Sequence, residues 1–100
     1  MELQVFRAEE LRNIAEEYIK NTSDELARGH YMNILDAAKR GRFSATIRFA
    51  NPRDSMTEIN LRALEKLEVL FPNCEFTFIK GYIIRSESIH IYEVSWVPIP

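Results

Sequence analysis

The spacing of hydrophobic positions changes along the chain, and this spacing predicts where helices and strands lie. Between Ala8 and Lys20, apolar side chains recur every three or four residues, which is the period of one helical face. These residues are Leu11, Ile14, Ala15, Tyr18 and Ile19. The stretch NTSDE interrupts the pattern, and Thr22 with Glu25 matches a capping box. A second helix is therefore predicted from about residue 22 to Arg40, with Gly41 as its left-handed cap.

The pattern then switches to the alternation that is typical of strands. Phe43–Phe49 alternates apolar and polar residues, which predicts a half-buried strand that ends at Asn51-Pro52. A third helix is predicted to begin at the SMTE capping box, Ser55–Glu58. Two further strands, Cys74–Arg85 and Ile89–Val97, are separated by SES and predict an antiparallel hairpin.

The last strand determines the expected order of the sheet. Its residues Ile89 and Ile91 face one side, and Tyr92, Val94 and Trp96 face the other. A strand that is apolar on both sides is usually central. We therefore predict a single α+β domain over residues 1–100, in which a three-stranded mixed sheet has the order 1-3-2. This is a split β-α-β unit with two additional N-terminal helices, and the order with the hairpin beside the first strand is the alternative.

Composition narrows the classes of function. With 100 residues and no apolar run of about 18 residues, the chain predicts no membrane span, and its first residues do not resemble a signal peptide. A single cysteine, Cys74, fits a reducing compartment. His90 and Cys74 are the candidates for chemistry, but neither lies in a known ligand or nucleophile motif. The sequence favours a protein that is not an enzyme and has no cofactor or bound metal.

Charge is unevenly distributed in a chain whose net charge is −2. Residues 1–25 carry seven acids and three bases, whereas residues 26–53 carry six bases and one acid. The stretch KRGRFSATIRFANPR is a candidate grip for phosphates. Its basic residues are Lys39, Arg40, Arg42, Arg48 and Arg53. Lys39 and Arg40 also suit a helix C-terminus, and Arg48 suits the polar side of a strand. Nucleic-acid binding is therefore the alternative function rather than the preferred one.

Excess apolar character at the C-terminal end predicts a contact with another protein chain. Tyrosine and tryptophan are enriched at interfaces, and a proline-containing tail suits a groove. The predicted contact residues are Tyr92, Val94, Trp96, Pro98 and Ile99. The competing interpretation is that the two N-terminal helices cover this face within the monomer.

A resemblance to known proteins spans about residues 30–97. The segments HYMNILDAAKRGRFSATIRF, LRALEKLEVLFPNCEFTF and IHIYEVSW resemble a pattern in small proteins of large DNA viruses and tailed phages. The matching positions are Ala37, Ala38, Gly41, Ala45, Ile47, Leu67, Phe71 and Trp96. The resemblance implies a viral structural or accessory protein, located in the virion or the host cell cytoplasm. The expected partner is then a second copy or another virion protein.

Overall fold

The computed structural model of the chain describes residues 2–52 and 56–98. Two helices and three strands follow one another in the order α1 (Ala8–Lys39), β1 (Ser44–Asn51), α2 (Glu58–Leu70), β2 (Glu75–Ile84) and β3 (Glu87–Ser95). The strands form one sheet in the order β1-β3-β2. The α+β class and the predicted strand order 1-3-2 are confirmed.

All strand pairing in this sheet is antiparallel. β3 pairs with β1 from Ser44↔Ser95 to Asn51↔Ser88, and it pairs with β2 from Glu75↔Ser95 to Ile84↔Glu87. The prediction of a mixed sheet is therefore wrong. β1 and β2 do run in the same direction, but β3 lies between them and takes the ladder hydrogen bonds of both.

The two predicted N-terminal helices are one helix of 32 residues. The stretch NTSDE, which is predicted to separate the two helices, contains residue types that often cap helices. Here the polar side chains of Ser23 and Asp24 have partners within α1 or on α2. The Ser23 hydroxyl donates to the carbonyl oxygens of Ile19 and Lys20, one turn earlier. Asp24 pairs with Lys20 in the same helix and with Lys66 of α2. No glycine or proline breaks the backbone between Asn21 and Glu25, so the helix continues.

The core lies between one face of the sheet and the two helices. Ile47 and Phe49 of β1 and Val94 of β3 are almost completely buried against Ala27 and Ile34 of α1. From α2, the core takes Ala63, Leu64 and Leu67. Deleting a large side chain of this kind typically costs about 2–5 kcal/mol, so this cluster dominates the stability of the fold.

Two ion pairs connect α1 with α2, and the two helices run in the same direction. The Arg62 guanidinium lies 3.1 Å from the Glu16 carboxylate, and the Lys66 ammonium lies 2.7 Å from the Asp24 carboxylate. Residue numbers increase together in these pairs, so α1 and α2 run in the same direction. The hydrogen bond from Lys66 holds the pKa of Asp24 below its usual value. The pairs are exposed, so each adds little stability, but together they align α2 beside the middle of α1.

A buried amide network connects the end of β1 to α2. The Asn51 side-chain oxygen accepts hydrogen bonds from the Thr57 backbone N–H at 2.9 Å and from the Asn60 amide at 2.6 Å. The Thr57 side chain caps α2 by accepting from the Asn60 N–H. The helix thus begins at Glu58 with Thr57 as its N-cap, two residues after the predicted cap Ser55, which lies outside the described residues.

The hairpin between β2 and β3 turns at two residues. Arg85 and Ser86 both have positive φ, at 50° and 68°, which is the geometry of a type I′ turn. The register of β2 shifts between Phe78 and Lys80, so a bulge leaves Ile79 unpaired. The predicted irregularity near Gly81 thus lies slightly earlier in the strand.

The molecule is elongated. Its radius of gyration is 17.0 Å and its longest dimension is 64 Å. A compact domain of this chain length has a radius of gyration of about 13 Å. The 32 residues of α1 alone extend over about 48 Å. Since α2 begins beside Glu16 of α1, the first two turns of α1 extend beyond the rest of the fold.

Candidate protein-interaction surface

Three large apolar side chains of α1 are exposed, two of them in its projecting first two turns and the third just after these turns. Leu11 and Ile14 are each 53% exposed, and Tyr18 is 64% exposed. The three residues are spaced by three and four positions, so they lie along one side of the helix. We call these three residues the α1 stripe. A solvated helix face is usually polar, so an exposed stripe of this size suits contact with another molecule.

The α1 stripe points away from the core of its own chain. The buried residues of α1 are Ser23, Ala27, Ile34 and Ala37. At about 100° of rotation per residue, their mean direction differs from that of the α1 stripe by roughly 150°. A bend in the helix would therefore not bring the α1 stripe onto the core.

The same side of the helix contains two further features nearer the middle of α1. Gly29 follows Leu11, and Met32 follows Ile14, by about five complete helical turns, so each pair has the same orientation. Met32 is 56% exposed. A Cβ atom built on Gly29 meets nothing within 4 Å. No packing within the described chain therefore requires glycine at this position, although glycine costs a helix about 1 kcal/mol.

The outer edge of the sheet is a second exposed apolar surface. β2 is an edge strand, and Phe78, Ile79, Ile83 and Ile84 are each half exposed or more. Edge strands of this kind pair readily with other chains. The bulge at Ile79 and the charge of Lys80 interrupt the edge midway, and both features disfavour regular strand addition. The α1 stripe is the more regular surface of the two.

The structure uses most of the predicted C-terminal contact residues inside the chain. Val94 is fully buried in the core, and Tyr92 and Trp96 are half-buried against it. The Trp96 indole N–H donates to the Arg42 carbonyl oxygen at 2.9 Å. Within the chain, α1 and α2 cover part of the face that the sequence assigns to a partner, and a contact of this segment with another chain stays a prediction. Pro98 is exposed, and Ile99 lies outside the described residues.

The described basic residues of the candidate phosphate grip are Lys39, Arg40, Arg42 and Arg48, and they belong to different elements of the fold. Lys39 and Arg40 are exposed at the C-terminal end of α1, where Arg40 pairs with Asp36 at 3.2 Å. Arg48 lies opposite Ile91, on the sheet face away from the helices. Arg42 precedes β1 beside Trp96, and Arg53 lies outside the described residues. Among the described residues, Arg48 therefore lies apart from Lys39, Arg40 and Arg42, which stand at the end of α1 and in the turn after it.

His90 and Cys74, the two candidates for chemistry, have surroundings that suit a structural role. The His90 Nδ1 lies 2.9 Å from the Asn51 amide nitrogen, within the buried network at the end of β1. Burial raises the pKa of the Cys74 thiol, which disfavours the reactive thiolate. Within residues 2–52 and 56–98, no three His, Cys, Asp or Glu side chains lie close enough together to bind a metal ion. In the same part of the chain, neither helix combines the length and the hydrophobicity that a membrane span needs.

Sequence periodicity groups Leu11, Ile14 and Tyr18, the residues of the α1 stripe, on one face of a short first helix. The buried residues of α1, which begin at Ser23, lie on the opposite side of the helix from the α1 stripe. The phase of the apolar periodicity therefore changes along α1, and this change is the sequence signal that the α1 stripe is not part of the core. This signal is readable only once the helix is known to be continuous.

Comparisons of the chain with known protein families, with curated proteins and with solved structures give no match. The function is therefore inferred from the surfaces described above.

Proposed function

We propose that this protein is a non-enzymatic protein–protein interaction module and that the α1 stripe is its contact surface. The observation that carries the proposal is the exposure of Leu11, Ile14 and Tyr18 on a helix that extends beyond its own core. A helix that presents apolar residues at positions i, i+3 and i+7 is a common ligand for a groove or another helix. The β2 edge is a second, weaker candidate surface.

The origin of the protein as a viral structural or accessory protein stays a prediction. It rests on the resemblance of residues 30–97 and on the module-like size of the chain. Its expected location in the virion or the host cytoplasm rests on the same resemblance.

Site-specific photo-crosslinking tests the contact surface. A benzophenone-bearing residue is placed at Ile14 in one variant and at Asn13 in a matched variant, and both are irradiated in the native source. Asn13 is exposed and adjacent, but it lies about 100° around the helix from Ile14. We expect a protein adduct from position 14 and much less from position 13. Equal yields from both positions, or no protein adduct from position 14, would contradict the proposal.

A stability measurement separates binding from folding. Ile14→Glu places a charge on an exposed position, so the free energy of unfolding of the isolated chain should change by less than about 0.5 kcal/mol. The same substitution should abolish the contact, because a carboxylate would be buried against apolar partner atoms. A large loss of stability in the isolated chain would show that Ile14 supports the fold instead.

A further inference from the structure

We infer that the groove between α1 and α2 binds a small amphipathic carboxylate, such as a short fatty acid. The carboxylate lies at one end of the groove and the aliphatic chain at the other. This site is separate from the α1 stripe, so the inference goes beyond the proposed function. Three observations carry it: the separation of charged and apolar residues along the groove, an excess of positive charge at one end, and the size of the groove.

The groove is charged at one end and apolar at the other. Its volume is about 440 Å³, and the buried Ala27 side chain lies at its base. Because α1 and α2 run in the same direction, the lower-numbered lining residues of both helices lie at the same end. The charged end contains Asp24, Arg28 and Lys66, and the apolar end contains Tyr31, Met32 and Leu70.

The charged end has an excess of positive charge. The Asp24 carboxylate lies 2.7 Å from the Lys66 ammonium and 3.6 Å from that of Lys20, so two ammonium groups share one carboxylate. Arg28 is exposed, and no carboxylate in the described part of the chain forms an ion pair with it. Arg28 also lines a neighbouring depression with Glu25, so its side chain extends towards this end. Three bases here face two acids, and an added carboxylate therefore complements the local charge.

The apolar end has one fixed wall and two exposed side chains. The Tyr31 ring packs against Phe71 at 5.4 Å between ring centres, which holds it in place. Met32 is 56% exposed and Leu70 is 46% exposed. An aliphatic chain in the groove would remove part of this apolar surface from water, which favours binding. The flexible methionine side chain is able to adapt to such a chain.

The size of the groove favours a small molecule over a protein segment. Seven residues line it, whereas a stable protein interface takes about 20–30 residues on each side. Sites for small molecules have volumes of about 300–1,000 Å³, and this groove lies within that range. From Asp24 to Met32, α1 rises by about 12 Å, which suits the extended chain of a short fatty acid.

Titration with ligands of equal chain length tests the chemistry of the site. Octanoate, added to isotope-labelled protein and followed by nuclear magnetic resonance, should shift the backbone signals of the residues that line the groove. We expect a Kd of about 0.1 mM, which is reasonable for a ligand of roughly ten heavy atoms. Octanol lacks the charge and should bind at least about 10-fold more weakly. Octyltrimethylammonium carries the opposite charge and should bind more weakly still.

Paired substitutions test the two ends of the groove. Arg28→Gln should weaken octanoate binding at least about 10-fold, whereas Arg12→Gln, an exposed change outside the groove, should alter it less than about 2-fold. Leu70→Asn should weaken binding at least about 5-fold. Leu61→Asn is its control, because Leu61 is 43% exposed and lies on the opposite side of α2. Circular dichroism verifies that each variant keeps the fold.

The outcomes separate this inference from the proposed function. Octanoate that gives no saturable shifts up to about 2 mM overturns the inference. Equal affinities for the three ligands, shifts centred on the α1 stripe or the β2 edge, or groove variants that behave like their controls overturn it as well. Crosslinking at position 14 tests the proposed function independently, because the groove and the α1 stripe share no residue.

Discussion

At the scale of single residues, the Asn51 side chain joins β1, α2 and β3. Its oxygen accepts from Thr57 and Asn60, and its nitrogen lies 3.3 Å from the Ser88 carbonyl oxygen. Asn51→Ala should lower the free energy of unfolding by about 2–4 kcal/mol, because two buried donors lose their acceptor. Urea denaturation measures this loss. Asn33→Ala, an exposed change on α1, is the control and should stay within about 0.5 kcal/mol. Similar losses in both variants would contradict the role of Asn51.

A half-buried histidine whose Nε2 atom is buried should make stability depend on pH. His30 packs edge-on against Phe49 at 4.9 Å between ring centres, and its Nε2 is buried without a hydrogen-bond partner among the described residues. Burial lowers the pKa of His30 below its usual 6.5. The unfolded chain therefore binds a proton more readily than the folded one.

The free energy of unfolding should consequently fall as pH drops below about 6.5 and stay level above it. Thermal unfolding of the wild type and of His30→Leu between about pH 7.5 and pH 5 measures this effect. The variant should have a flatter pH profile, because it lacks the group that titrates. An unchanged slope would assign the pH dependence to another group.

The sequence identifies the apolar core residues more readily than the buried polar ones. Ile47, Phe49 and Leu67 follow the period of their elements and are buried. Asn51 and Asn60 are buried as well, although nothing in their local sequence predicts it. Burial of an amide depends on partners that lie far away in sequence, such as Ser88 for Asn51.

At the scale of elements, the two glycines of the α1 region have opposite requirements. A Cβ on Gly29 meets nothing within 4 Å, whereas Gly41 has φ of +80° in the turn after the helix. Gly29→Ala should stabilise the monomer by about 0.5–1 kcal/mol through helix propensity. Gly41→Ala should destabilise it by about 1 kcal/mol through backbone strain. Denaturation at sub-micromolar concentration measures both, and the same sign for both would contradict this assignment.

Element order was predictable, but the length of α1 was not. The two-sided apolar pattern of β3 correctly places it in the centre of the sheet. The NTSDE stretch has the local signature of a helix start, but the Ser23 hydroxyl bonds to carbonyl oxygens one turn earlier and Asp24 pairs with Lys20 and Lys66. The separation of the α1 stripe from the core follows from this continuity and not from local sequence.

At the scale of the whole molecule, the projecting helix sets the dimensions. Deleting residues 2–12 should leave the free energy of unfolding within about 0.5 kcal/mol, because these side chains are exposed. The radius of gyration of the dilute monomer, measured by small-angle scattering, should fall from 17.0 Å towards the value of about 13 Å that is typical of a compact domain. A full-length chain that is already compact in solution would show that α1 folds back onto the body.

The central position of β3 also determines the order of events during synthesis. Ser44 of β1 pairs with Ser95, so the growing chain completes β1 long before its partner strand exists. β2 likewise waits for β3. All of α1 is made earlier still, and on the ribosome it presents both its core-facing side and the α1 stripe without cover. The core therefore closes only after β3 has been made, because Val94 belongs to it.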